Sequence, residues 1–188
     1  MKKLIVFNGV SSSGKTTLAS RLIEYVEGSK FFEEIGGTLR KSVAYNVLEP
    51  IKNFDIEVMK RELIRDVEIM KCDGIPIVET WHIGNIAYML SRNPTLFPIY
   101  ARILTYKLRF FEPFAILVRI NSETFRNRIK EKLEVKNIAD VENFYKAIFR
   151  NTCGLYSFFK INYMVVNNNE DVSKSLAEII DAVKIAIR

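Results

Sequence analysis

The run Gly9-Val10-Ser11-Ser12-Ser13-Gly14-Lys15-Thr16 meets every fixed position of G-x-x-x-x-G-K-[ST], and no other feature constrains the chain as much. Before it stands the unbroken apolar run Leu4-Ile5-Val6-Phe7, the pattern of a strand buried on both faces. After it, Leu18, Leu22 and Ile23 fall on one face of a helix that Val26 extends. A strand, a glycine-framed turn and a helix in this order aim backbone N–H groups and the positive helix start at one point. That is how a chain holds phosphate oxygens. Gly9, Ser11, Ser12, Ser13, Gly14, Lys15, Thr16 and Thr17 are therefore expected around a nucleoside triphosphate. Lys15 would reach the β- and γ-phosphates and the Thr16 hydroxyl would ligate a metal, which makes ATP and Mg²⁺ the expected cofactors.

Further strand-like runs at 30–35, 75–80, 114–120 and 163–166 alternate with helical stretches at 39–48, 54–72, 83–90, 96–110, 122–132, 141–159 and 172–187. The alternation predicts an α/β fold with a parallel sheet covered on both sides. No internal repeat, low-complexity tract or Gly/Ser/Pro-rich linker divides the chain, so residues 1–188 read as a single domain. Cys72 and Cys153 form no Cys-x-x-Cys pattern and His82 is the one histidine, which excludes a Cys/His zinc cluster and a disulfide framework. A reducing, cytoplasmic location is the corresponding expectation. The apolar run at 4–7 is too short for the core of a leader peptide, and nothing is long and apolar enough to span a bilayer, so no membrane partner is expected.

The net charge of +6 is local. Between Tyr100 and Lys136 nine Lys/Arg stand against four Glu, which accounts for five of the six net charges. A basic segment of this kind suits a polyphosphate better than a duplex, and no RNA- or DNA-binding motif accompanies it; no nucleic-acid partner is expected.

Ligands of an open α/β sheet lie beyond the carboxyl ends of its strands. Glu33-Glu34 follows the second strand, and Glu34 is placed to take a proton from an attacking hydroxyl or to hold a sugar hydroxyl. Glu79 ends the third strand, where a carboxylate joins Thr16 as a partner of Mg²⁺. Trp81 and Tyr88 offer stacking surfaces for a base, although aromatics so placed also suit a core. His82 could line an acceptor pocket, but beside Trp81 it reads rather as structural. Arg126 and Arg128 follow the fourth strand, where mobile arginines can neutralise a moving phosphoryl group; interleaved glutamates are equally the mark of a solvated helix face.

Together these pieces resemble the thymidylate kinase-like branch of the P-loop nucleotide kinases. Glu34-Ile35-Gly36-Gly37-Thr38 is similar to that family's Glu-Pro-Gly-Gly-Thr. Glu79-Thr80-Trp81-His82-Ile83-Gly84-Asn85-Ile86-Ala87-Tyr88 aligns without gaps to its Asp-Arg-Tyr-x-x-Ser-x-x-Ala-Tyr, and Ser122-Glu123 with Arg128 resembles the opening of its lid. The resemblance implies a three-layer P-loop NTPase fold, a five-stranded parallel sheet of order 2-3-1-4-5, and a basic, mobile helical lid at about 122–140. It further implies MgATP as donor, a nucleoside monophosphate as acceptor, and a homodimer, for which 83–110 offers apolar helical surface.

Three positions depart from the family. Glu33 and Thr80 stand where it has arginines facing the acceptor's phosphate, and Ser11 stands where its loop has a carboxylate. Arg40, Arg61 and Arg65 are candidates to replace those arginines, Arg61 as a substrate-binding residue. The deoxynucleoside kinases are the rival resemblance: they carry a glutamate base where Glu34 stands, and a hydroxyl acceptor needs no phosphate clamp. The opening 7–15 also looks like P-loop kinases of antibiotic hydroxyls. Outside the kinases, a P-loop regulatory ATPase acting as a switch is the competing reading.

Overall fold

The computed structural model describes residues 1–42, 52–130, 138–169 and 171–187. Five strands, β1 (Lys2–Gly9), β2 (Lys30–Phe32), β3 (Pro76–Glu79), β4 (Phe111–Arg119) and β5 (Asn162–Asn167), form one sheet of order β2-β3-β1-β4-β5. Every pairing is parallel. The helices are α1 (Lys15–Leu22), α2 (Ile35–Ser42), α3 (Lys52–Met70), α4 (His82–Arg92), α5 (Phe97–Lys107), α6 (Ser122–Lys130), α7 (Ile138–Phe159) and α8 (Val172–Ala186). The expected three-layer α/β architecture and strand order are both present.

β1 runs through the middle of the sheet and shows why its run is apolar without alternation. Leu4 and Val6 face a core shared with α3, α4, α5, α6 and α7, while Ile5 and Phe7 face a second core with α1 and α8. All four are at most 1% exposed. Burial of each such side chain contributes about 1.5–3 kcal/mol, so both layers depend on this one strand.

Several boundaries differ from expectation. β2 stops at Phe32, because Ile35-Gly36-Gly37-Thr38 opens α2 and the Thr38 hydroxyl donates to Glu34 O at 3.1 Å. The two glycines thus lie in a helix. The part of the expected 39–48 helix beyond residue 42 lies outside the described residues. β4 begins at Phe111, drawn into the sheet by its pairing with Lys2, and α7 begins at Ile138. Of the segment 122–140 expected as a lid, the structure describes α6 and the start of α7; residues 131–137, including Lys132 and Lys136, lie outside the described residues.

α4 is buried almost throughout, so the apolar surface expected over 83–110 narrows to Ile99, Tyr106 and Phe110. Among the described residues no helix is long and apolar enough to cross a membrane.

Candidate active site

The register Phe7↔Glu79 and Gly9↔Val118 brings the ends of β3, β1 and β4 level, and the loop of residues 9–16 leaves β1 at that edge. Its shape demands glycine at both ends. A Cβ on Gly9 would lie 2.7 Å from Val118 O. Gly14 has φ +89 immediately before α1, and a Cβ there would collide with the Asn168 amide. Ser12 takes a left-handed conformation as well, with φ 63.

The loop is tied down from the far side of the sheet. Asn168 donates through Nδ2 to Ser13 O at 2.8 Å. Arg128 on α6 donates through Nη1 to Ser12 O at 3.3 Å and Ser13 O at 3.4 Å, and through Nη2 to Asn168 O at 3.1 Å. Ser12, Gly14, Thr16, Thr17, Arg128 and Asn168 help to line a cavity of about 300 Å³ at the start of α1. The Ser12 hydroxyl, which lines it, and the Ser13 hydroxyl are both buried without a hydrogen-bond partner among the described residues. Ser11 lies part-exposed in the turn.

Lys15 is the electrostatic centre. Its Nζ lies 3.3 Å from Glu34 Oε2 and 3.5 Å from Glu79 Oε1. Burial acts to lower its pKa, but Glu34, Tyr88 and Glu79 outweigh that and hold the ammonium above its ordinary value. Thr16 Oγ1 donates to Glu79 Oε1 at 2.6 Å, so a hydroxyl and a carboxylate oxygen stand side by side. Hard oxygen donors in this pairing fit Mg²⁺.

On the other side of Glu34 lies a second, narrow cavity of about 20 Å³, lined among others by Phe54, Asp55, Asn85, Tyr88 and Arg92. Arg92 pairs with Asp55, whose Oδ2 also accepts from Asn93 Nδ2 at 2.8 Å. The Arg92 guanidinium lies 5.6 Å from the Phe54 ring and 5.7 Å from the Tyr88 ring.

The structure therefore gathers Lys15, Thr16, Glu34, Glu79, Tyr88 and Arg128 around one edge of the sheet and leaves three expected residues elsewhere. Trp81 has no exposed surface: its Nε1 donates to Asp66 Oδ1 at 3.0 Å and its ring packs on His82 and Phe111. It is a core residue with a satisfied polar handle and offers no face to a base. Arg61 stands on the outer face of α3, half exposed and bonded to Glu57 at 2.8 Å, one helical turn away. Arg126 bonds Glu142 at 2.8 Å and does not reach the loop, whereas Arg128, two residues on, faces it. His82 is structural as expected, between Asp66 Oδ2 at 3.0 Å and Tyr100 OH at 3.3 Å.

Sequence reasoning passed over Asn168 and the Asp55–Arg92 pair. The triple Asn167-Asn168-Asn169 at the carboxyl end of β5 was a usable signal for the first. The second joins residues 37 positions apart and left none.

No protein-family model matches the chain, and neither does any curated protein sequence. Solved structures do match. Thymidylate kinase from Candida albicans superposes with a TM-score of 0.67 at 14% identity, over 98% of this chain and 92% of that one. Deoxyadenosine kinase from M. mycoides does so at 0.63 and 14%, over 97% and 98%. The fold is that of the P-loop kinases. A NadR protein in complex with NR gives 0.73 at 14% identity, where 98% of this chain covers 50% of that one. At such identities the likeness establishes the fold, and the chemistry has to come from the site.

Proposed function

We propose that this chain is an ATP-dependent phosphotransferase that moves the γ-phosphoryl group of MgATP to a hydroxyl of a nucleoside-like small molecule. The observation that carries the reading is the placement of Glu34. Its carboxylate lies 3.3 Å from Lys15 Nζ and also lines the narrow cavity beside the loop. A base in that position touches both the donor and the acceptor sides of the site.

Lys15, the loop N–H groups and the start of α1 hold the donor's phosphates. Thr16 and Glu79 would hold Mg²⁺, which when bound neutralises charge on the phosphate oxygens. Arg128 fixes the loop through its bonds to Ser12 O and Ser13 O, which leaves it at the phosphates' edge. Arg126 takes no catalytic role in this reading. Glu34 accepts the hydroxyl proton, and Tyr88 and Phe54 supply apolar walls for the acceptor. About 20 Å³ holds little more than a water molecule, so the acceptor enters as these walls part.

Among the described lining residues of that cavity the cation is Arg92, already paired with Asp55. A dianionic phosphate would have to break that pair, whereas a hydroxyl acceptor does not. The same Arg92 is also the observation that favours the second reading, a nucleoside monophosphate acceptor of the thymidylate kinase type.

The test is ADP formation with thymidine, deoxyadenosine, NR and thymidylate offered in turn. A nucleoside is expected to raise turnover well above the acceptor-free rate. A response to thymidylate alone selects the monophosphate reading, and no response to any acceptor leaves the regulatory ATPase.

A further inference from the structure

Arg65 lies on α3, far from the phosphate loop in sequence and 6% exposed. Its Nη1 donates to Glu33 O at 2.5 Å and to Glu79 O at 3.0 Å, and its Nη2 donates to Thr80 O at 2.7 Å. Nη2 also bonds both oxygens of Glu62, at 2.7 and 2.9 Å, and Glu62 has no exposed surface. One guanidinium thus holds three backbone carbonyls from two neighbouring strand ends.

The register between β2 and β3 closes with Phe32↔Val78. Immediately beyond it the two chains carry Glu34 and Glu79, the carboxylates on either side of Lys15. Past that last pair, Arg65 does what ladder hydrogen bonds do within the sheet. The backbone it grips is not relaxed. Thr80, a β-branched residue, has φ 49, a strained conformation that persists only where its surroundings enforce it. Arg65 bonds the carbonyls of Glu79 and Thr80 on both sides of that φ, while Thr80 N donates to Phe7 O at 2.8 Å. The counter-ion Glu62 extends the hold to α4, accepting from Asn85 Nδ2 at 3.0 Å, and Asn85 lines the cavity next to Glu34.

We propose that Arg65 is a positioning residue: by clamping the carbonyls of Glu33, Glu79 and Thr80, it sets the spacing of the Glu34 and Glu79 carboxylates about Lys15. The proposal rests on the phosphotransferase reading above for the meaning of those carboxylates. Its planar fork is essential. A lysine ammonium is a compact charge on a flexible stem and cannot reach three carbonyls and the Glu62 carboxylate in fixed directions. The clamp excludes Arg65 as the replacement for a phosphate-binding arginine, since both of its terminal nitrogens are engaged on the protein.

Two variants test it, Arg65→Lys, which keeps the charge beside Glu62, and the neutral double variant Glu62→Gln/Arg65→Gln, which leaves no buried carboxylate stranded. Each is assayed at a temperature where its melting curve shows it folded. A misplacement near 1 Å is expected to lower kcat about 100-fold while KM for ATP changes by no more than about threefold. Mn²⁺ affinity in the presence of ADP, read by electron paramagnetic resonance, is expected to fall about tenfold as Glu79 shifts. Folded variants with wild-type kcat and wild-type Mn²⁺ affinity would overturn the proposal, and so would failure of both to fold, which assigns Arg65 to stability alone. If no acceptor stimulates the wild type, the phosphotransferase reading fails separately, and the Mn²⁺–ADP measurement still reports on the clamp.

Discussion

In the proposed reaction Glu34 pairs with Lys15 on the donor side and serves as base to the acceptor's hydroxyl, and replacing it by Gln separates the two roles. The Lys15–Glu34 pair is 3.3 Å apart, with side chains 8% and 14% exposed. At that distance the gross attraction is about 5 kcal/mol for an effective dielectric of 20 and about 1.3 kcal/mol in water. Desolvation and the remaining carboxylate of Glu79 cancel most of it, so the net change at Lys15 is about 1 kcal/mol. That ammonium then has one competitor fewer for phosphate oxygens, and ATP affinity measured by calorimetry should rise about fivefold. Turnover moves the other way. The amide cannot accept the hydroxyl proton, and kcat should fall by about 10²–10⁴-fold, as the loss of a general base does elsewhere. Tighter ATP with slower transfer is a pairing that a folding defect does not produce. A kcat within threefold of the wild type would refute the assignment of Glu34 as base, whatever happened to affinity.

Two further outcomes follow from packing and charge. A Cβ on Gly84 would collide with Asn8 Oδ1 and lie 2.9 Å from Thr80 Cγ2, so Gly84→Ala should destabilise the protein by about 1–3 kcal/mol despite alanine's better helix propensity, as urea unfolding would show. An unchanged or higher midpoint would mean that β1 and α4 can part more easily than their contact implies. Glu142 is held at about 2 by hydrogen bonds from Lys146, Ser122 and Arg126, against an ordinary 4.5. Its folded-state value is depressed, so the stability it contributes is complete above about pH 4.5 and is lost as pH falls towards about 2. Arg126 and Lys146 are more than half exposed, which screens the pair and limits the loss in Glu142→Gln at neutral pH to about 1 kcal/mol. The difference in urea midpoint between wild type and variant should shrink steadily below pH 4.5; a difference independent of pH would contradict it.

The residues that could be read one at a time were the local ones. Gly9 to Thr16 act through backbone N–H groups and side chains within a few positions, so the loop, its strand and its helix were written in one continuous stretch. Glu34 and Glu79 were legible for a related reason: a parallel α/β sheet puts every strand's carboxyl end at the same edge, and a carboxylate just beyond an apolar run must stand there. Trp81 and Arg126 were legible only as residue types. Their roles turned on a single partner each, Asp66 for Trp81 and Glu142 for Arg126, and those partners lie 15 and 16 positions away on other elements.

The α/β architecture, the phosphate loop and the two carboxylates could be read from the residues alone, because each follows from short-range periodicity or from the polarity of a strand end. Packing of the layers settled the partners of the arginines: Arg65 grips backbone carbonyls, Arg92 pairs with Asp55, and Arg128 rather than Arg126 meets the loop. A guanidinium's partners depend on which helix faces are brought together and on which carbonyls a strand leaves without a ladder bond, and both are fixed only when the layers pack.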